Sequence, residues 1–389
     1  MKIVDVKSTI VNVHMKEPIC FALGVIHGTT RTIIEISTNT GLVGLGETTG
    51  SLSKQIIDHT IKPLILGRDP FELEAIRNVC RWNMADNVLG MRSLAGIEMG
   101  LLDLMGKELN KSVSDLIGGK CRKAVPFAAY IFPKLDYLNR SEQSVPESMA
   151  DLCNDAIGLY GFDTLELKLG VFPPKLDVEV VRTVRESIGD NISIRVDANE
   201  SWSSATAVQT IRSLEEYGVS NVEEPVRGLG ALARVRRLVK TPISTHSPMI
   251  AEISRLHAAD AIVSDVQDSG GISMTKRIAA AAELFNYNFW LHSSCELGIS
   301  TAAYLHLAAS TPHMIFPNQS HYHHQVDDVI AHRFKYERGA IKVPEGPGLG
   351  VSLDEEKLNQ YSRLYQSEGE LGFYTCPYAD SNVPLYSRF

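Results

Sequence analysis

Seven polar side chains between residues 168 and 321 each close or follow a short apolar run. They are Lys168 in TLELKLG, Asp197 in SIRVDAN, Glu223 in VSNVEEP, His246 in TPISTHS, Asp265 in AIVSDVQ, His292 in NFWLHSS and His321 in MIFPNQSHY. Successive members stand 29, 26, 23, 19, 27 and 29 residues apart. Two acids with a histidine make a set for a divalent metal, because carboxylates suit magnesium while imidazole suits softer ions. An aspartate, a histidine and a lysine make a set for moving protons. Either chemistry requires side chains distant in sequence to meet in space. The pattern predicts an enzyme.

The elements that would bring them together are legible in the same spacing. The apolar runs are rich in Val, Ile and Phe, and helix-like stretches such as KLDVEVVRTVRESIG and SSATAVQTIRSLEEYG lie between them. Repeated strand–helix units of this length predict an α/β fold, a parallel barrel with helices outside, whose strand C-terminal ends share one mouth. The first barrel strand is expected at 124–132. The N-terminal part reads differently. MKIVDVKSTIVNV is a strand pattern, and TRTIIEISTNTGLVGLGET is a hairpin turning at Asn39, Thr40 and Gly41. Helices are expected over 54–64, over 70–83 with Asp69 as N-cap before Pro70, and over 93–108. Strands followed by helices without alternation predict a separate α+β domain. The expected division is therefore 1–123, 124–338 for the barrel, and a C-terminal segment 339–389. Glycines and prolines in GAIKVPEGPGLGVSLDEEKL forbid a long helix, so that stretch should cross the surface as a structured loop. The aromatic-rich tail YTCPYADSNVPLYSRF should dock on the N-terminal domain or on another subunit, and a homo-oligomer is expected.

Composition narrows the partners. The 389 residues suffice for a barrel and a second domain, and 44% hydrophobic with 22% charged residues is ordinary for a globular protein. A net charge of −8 without a basic cluster gives no reason to expect nucleic acid. An anionic substrate would need a local cationic centre such as a metal. The six cysteines form no CxxC pair, which fits reduced thiols better than disulfides or a zinc cluster. With no signal-peptide pattern at the N-terminus and no run of transmembrane length, a cytoplasmic protein is expected and no membrane partner.

Several motifs in order carry a family likeness: GLVGLGET (41–48), LAGIEMGLLDLMGK (94–107), LKLG (167–170), RVDAN (195–199), VEEP (222–225), HSS (292–294) and GPGLGVSLDE (346–355). The chain resembles the enolase superfamily, within it the mandelate racemase group, and there most the glucarate dehydratase branch. The resemblance spans nearly the whole length. It implies a modified TIM barrel, (β/α)7β, with an N-terminal α+β capping domain completed by the C-terminal segment. It also implies abstraction of a proton α to a carboxylate, with a divalent metal stabilising the enediolate; a Lys or His base with magnesium is the pattern associated with this superfamily.

Position by position, the resemblance places metal ligands at Asp197 and Glu223. Their residue types favour Mg2+, against the alternative that each caps a helix or pairs with Arg195 or Arg227. The third ligand falls on His246, where Mn2+ or another divalent ion would suit imidazole better; alternatively His246 only hydrogen-bonds a ligand and water fills the place. Glu252 follows several residues on. Asp265 and His292 correspond to a His–Asp dyad in which the carboxylate fixes the ring tautomer and raises its basicity. Lys168 matches the second lysine of a Lys-x-Lys motif whose first lysine is here Glu166. Residues i and i+2 of a strand share a face, so Glu166 should favour the charged ammonium and make Lys168 an electrostatic or proton-donating group, or simply its ion-pair partner. His321 aligns with a substrate-side histidine, while His323 and His324 read as solvated loop residues. Tyr130, Glu166, Ser294 and Glu296 are candidate substrate contacts. His27, Thr30 and Arg31 fall where the family's capping loop closes the site, Arg31 as a carboxylate clamp or a surface ion pair. The expected reaction is metal-dependent dehydration of a sugar acid to a 2-keto-3-deoxy acid. A racemase, epimerase or cycloisomerase shares the first step, and a non-catalytic acid-sugar binding protein is the alternative from another class.

Overall fold

The structure is a computed structural model that describes residues 1–84, 87–134, 144–371 and 389. Most of the aromatic tail lies outside the described residues. Three antiparallel strands open the chain, β1 Ile3–Phe21, β2 Gly24–Thr38 and β3 Val43–Thr49. The second turn is the expected one: the Thr38 N–H donates to Leu42 O at 3.0 Å and Gly41 takes φ +85°. The helix Val88–Leu109 crosses this sheet backbone to backbone. A Cβ at Gly44 would lie 2.1 Å from Gly100 O, and one at Gly46 would lie 2.0 Å from Gly96 O. The glycines of GLVGLGET and AGIEMG thus permit the approach that brings Glu47 to the barrel. Three helix starts differ from expectation, the one over 88–109 beginning at Val88 rather than at 93. The first helical stretch runs from Leu52 to Ile65 with a π-helical segment at Ile57–Ile61, and the next starts at Leu73. Asp69 instead accepts the Phe71 N–H at 3.0 Å, so Pro70 and Phe71 form a turn before the helix.

The barrel strands are β4 Ala124–Ile131, β5 Thr164–Lys168, β6 Ser193–Asp197, β7 Val219–Glu223, β8 Ile243–Thr245, β9 Ala261–Ser264, β10 Asn288–Leu291 and β11 Asn318–Ser320. All eight are parallel, in the order β10-β9-β8-β7-β6-β5-β4-β11, with one helical layer between each consecutive pair. This is the (β/α)7β arrangement. Between β10 and β11 the Leu291 N–H donates to the Asn318 side chain at 2.8 Å. A last short strand, β12 Ala340–Lys342, pairs antiparallel with the start of β4. The following glycine-rich stretch runs as a loop to Asp354, which caps the helix Glu355–Glu368. That helix lies against β1, where His14 meets Glu368 at 3.0 Å and the Asn12 amide donates to Gly369 O at 2.9 Å. Inside the barrel, alternate residues point inward. Arg195 lies 4.2 Å above the Trp290 ring and donates to Pro317 O at 2.9 Å, filling the layer beneath the mouth. Among the described residues no helix is long and apolar enough to cross a membrane.

Candidate active site

Parallel register sets the polar side chains level with one another. Lys168 pairs with Asp197, and Asp197 with Glu223, at the C-terminal ends of β5, β6 and β7. Glu166 lies one inward position below Lys168 and is fully buried. The Lys168 ammonium is ion-paired with Asp197, stands 3.8 Å from Glu166, and sits 4.2 Å over the Tyr130 ring. Burial opposes its charge, but Asp197, Glu166 and Glu223 prevail and hold its pKa above the usual lysine value. The expectation that Glu166 favours the ammonium agrees with this arrangement. Neither Asp197 nor Glu223 pairs with Arg195, whose guanidinium is spent in the layer below.

A residue absent from the sequence-based candidates ties the site together. The Gln319 amide nitrogen donates to both Glu166 oxygens at 2.8 and 2.9 Å and to Glu223 at 2.6 Å. Its oxygen stands 2.8 Å from His292 Nδ1. Because that oxygen only accepts, His292 carries its proton on Nδ1 and leaves Nε2 as a lone pair. Tyr130 Oη is also near Nδ1, at 3.2 Å.

The His–Asp dyad is therefore corrected. Asp265 spends its oxygens on the Ser294 hydroxyl, on the N–H groups of Gln267 at 2.6 Å and Asp268 at 3.3 Å, and on Tyr304 Oη at 3.4 Å. No hydrogen bond or ion pair joins it to His292. An amide rather than a carboxylate fixes the imidazole, and its basicity is lowered rather than raised. Burial, His246 and Lys168 hold His292 well below the usual histidine pKa, against the pull of Glu223.

His246 follows β8 directly, and its Nε2 lies 2.8 Å from Glu223. Burial works against its charge, but Glu223 raises its pKa to about 10; in return His246 outweighs the burial of Glu223, which falls to about 2. Glu252 is turned away in a pair with Arg255. A cavity of about 220 Å³ opens above these groups. Its polar wall includes Lys168, Asn199, His246, His292, Ser293 and His321, with Asp268 at the side. Its cap is apolar: Phe21, Leu23 and Ile26 from the β1–β2 hairpin, with Phe132.

Of the predicted substrate contacts, His321 alone is in this wall. His27 is exposed on the hairpin face opposite Ile26. Thr30 is buried between Asn12 at 2.7 Å and the Leu371 N–H at 2.9 Å. Arg31 is neither clamp nor surface pair. It is buried, with Nε on Glu47 at 2.8 Å and a terminal nitrogen on Thr49 at 2.8 Å and Ser294 O at 3.2 Å. Glu47 also accepts the N–H groups of Leu297 and Ser300, so this pair fastens the capping domain to the loop after β10. Glu296 accepts the Ser294 N–H within that loop, the Ser294 hydroxyl donates to Asp265, and Tyr130 and Glu166 lie behind Lys168. His323 and His324 are packed rather than solvated, their rings 4.0 Å apart, with His323 against Tyr160 and Phe162.

Residues 148–357 match the family described as Enolase C-terminal domain-like, and residues 3–118 match Mandelate racemase / muconate lactonizing enzyme, N-terminal domain. The chain belongs to the enolase superfamily. Within this superfamily its curated relatives differ in reaction. A protein named "Probable glucarate dehydratase" from Streptomyces coelicolor is 30% identical over 85% of this chain and 84% of its own length. "Chloromuconate cycloisomerase CbnB" from Cupriavidus necator is also 30% identical, over 93% of this chain and 100% of its own length. The crystal structure of an enolase from Thermobispora bispora complexed with magnesium and formate superposes with a TM-score of 0.91 at 28% identity, covering 100% of both chains.

The donor set of this enolase superfamily member fits a divalent cation. Glu166, Asp197 and Glu223, all buried, bring one oxygen each within 4.8 Å of one another. Burial raises the pKa of both Glu166 and Asp197, with neighbouring acids adding to it and Lys168 opposing, a cost that a dication would relieve. Asn199 Oδ1 is a buried oxygen without a partner, while its amide nitrogen donates to Asp197 at 2.8 Å. A second group, Glu223, His246 and His292, also lies within 4.8 Å and mixes nitrogen with oxygen. The three ligands expected from sequence divide between these groups, with Glu223 common to both.

Proposed function

We propose that this protein is a metal-dependent sugar-acid dehydratase. It removes the proton α to a carboxylate, expels the β-hydroxyl as water and gives a 2-keto-3-deoxy acid. The observation that carries this reading is the pairing of one imidazole that has an unengaged Nε2, His292, with an ammonium held between carboxylates, Lys168, at one cavity. His292 takes the α-proton on Nε2, and Gln319 keeps the ring in the tautomer that allows it. Lys168, held between Asp197 and Glu166, presents positive charge or a proton to the substrate. Racemisation draws on a base at each face, whereas one base sharing a cavity with one held ammonium suits elimination. Glu166, Asp197 and Glu223 would hold the cation, with His246 beside Glu223. When bound, a divalent cation supplies Lewis-acid neutralisation of charge developing on the substrate carboxylate. The relative named "Probable glucarate dehydratase" supports the same reading.

One observation favours a second reading. The cap of Phe21, Leu23, Ile26 and Phe132 presents few partners for a polyhydroxylated chain and suits the less hydroxylated acids of cycloisomerases, one of which is an equally similar relative. A panel of aldonic, aldaric and uronic acids, with muconates alongside, separates the two. Dehydration gives a 2-keto product lighter by one water. A product of unchanged mass supports cycloisomerisation or racemisation.

A further inference from the structure

Behind His321 runs a chain of polar atoms that the proposed reaction leaves unused. The His321 ring packs on Tyr130 and Phe132, with centroids 4.6 and 5.4 Å away. Its Nδ1 stands 2.9 Å from Ser293 Oγ, and its backbone N–H donates to the same hydroxyl at 3.0 Å. Ser293 Oγ in turn donates to Glu296 Oε2 at 2.6 Å. The other Glu296 oxygen accepts the Ser294 N–H. His321, Ser293 and Glu296 are 6%, 1% and 5% exposed, so these bonds are largely shielded from bulk solvent.

Counting donors fixes the direction of the chain. A carboxylate at Glu296 only accepts, so the single Ser293 hydroxyl proton points to it. The two Ser293 lone pairs then take the His321 backbone N–H and Nδ1–H, and Nε2 faces the cavity bare. With a proton on Glu296 Oε2 the order reverses. The carboxyl donates to Ser293, the hydroxyl donates to Nδ1, and Nε2 carries a proton into the cavity.

We propose that Glu296, acting through Ser293, sets which nitrogen of His321 bears the proton, and so makes His321 the group that protonates the leaving oxygen. The second half rests on the dehydratase reading; the first does not. In the step, the Nε2 proton passes to the β-hydroxyl oxygen as its C–O bond breaks and water leaves. The Ser293 proton moves to Nδ1, and the Glu296 proton moves to Ser293. Glu296 ends as a carboxylate and His321 as the Nδ1–H tautomer, so charge and protons balance. The surroundings permit both states. Burial and Asp265 raise Glu296 to about 7 against Arg31, while Tyr304 faces the same carboxyl. Burial, then His324, Lys168, His292 and His323, keep the His321 ring neutral, as a tautomer switch requires.

Nitrogen-15 NMR of histidine-labelled whole protein without substrate reads the tautomer of His321. In the wild type at alkaline pH, His321 should be Nδ1–H, passing to Nε2–H as pH falls through the Glu296 titration. In Glu296→Gln the Ser294 N–H claims the amide oxygen, so the amide NH2 faces Ser293 and His321 should be Nε2–H throughout. Adding Ser293→Ala should abolish that difference. An unchanged tautomer in Glu296→Gln, or a change that survives Ser293→Ala, overturns the proposal. Should Glu296→Gln fail to fold, the wild-type titration decides alone, and no switch overturns it. With a dehydratable substrate, Glu296→Gln should lose about 100-fold in water elimination yet retain α-deuterium exchange. Equal loss of both overturns the role at the leaving oxygen and leaves the tautomer result standing.

Discussion

Gln319 holds His292 by the nitrogen that the sequence assigned to Asp265: its oxygen lies 2.8 Å from Nδ1, while its amide nitrogen spans Glu166 and Glu223. One neutral side chain thus joins the imidazole to two of the three buried carboxylates. Gln319→Leu keeps the volume and removes every one of these bonds. Leaving buried polar groups unpaired costs about 1–3 kcal/mol. The variant should unfold at lower denaturant, and His292 should lose its fixed tautomer in nitrogen-15 spectra. Unchanged stability and tautomer would show that the amide positions nothing.

For Arg31 the sequence left open a carboxylate clamp or a surface ion pair, and its guanidinium is closed in with Glu47 at 2.8 Å. Arg31→Met should therefore leave a buried carboxylate uncompensated and destabilise the protein by about 3–5 kcal/mol, seen in denaturant unfolding. A variant of full stability that shows only a raised KM would restore the clamp.

Asp177 gives a pH dependence whose sign is fixed. Burial outweighs the Gly170 N–H at 3.0 Å and pushes its carboxyl up to about 8, from 3.8. A folded pKa raised in this way contributes stability that is complete below the unfolded value and lost as pH rises toward 8. The loss is about 1.4 kcal/mol for each pH unit in that window. Asp177→Asn keeps an acceptor for Gly170 and should flatten the fall. The check is Tm measured from pH 5 to pH 9 in both proteins; parallel curves would contradict it.

Ligand roles for Asp197 and Glu223 predict that Asp197→Asn or Glu223→Gln weakens Mg2+ and Mn2+ binding by calorimetry without unfolding the barrel. His246→Asn replaces imidazole by a hard oxygen and should move preference toward Mg2+. Unaltered affinity in all three would place the cation elsewhere.

The sequence made the barrel readable because each βα unit repeats at a near-constant interval, and the strand ends placed Lys168, Asp197, Glu223, His246, His292 and His321 around one mouth. It did not show which hydrogen bonds those groups make. Gln319 was within reach of the same reasoning. It stands two residues before His321 and shares its face, as Glu166 shares that of Lys168. His27 misses the cavity for a related reason. His27 and Ile26 are adjacent in an alternating strand, so a shift of one position exchanges the cavity face for solvent. Asp265 was misplaced because a strand end fixes where a side chain starts, while the loop N–H groups of Gln267 and Asp268 decide where it points.

The proposed reaction depends on His292 as the base. Wild type, His292→Asn and Lys168→Ala, each loaded with Mg2+ and incubated in D2O with a turned-over sugar acid, can be compared by mass spectrometry for deuterium at the α-carbon. With His292 as the base, His292→Asn should show no exchange, and Lys168→Ala slower turnover with exchange retained. Exchange that persists in His292→Asn and vanishes in Lys168→Ala would contradict it.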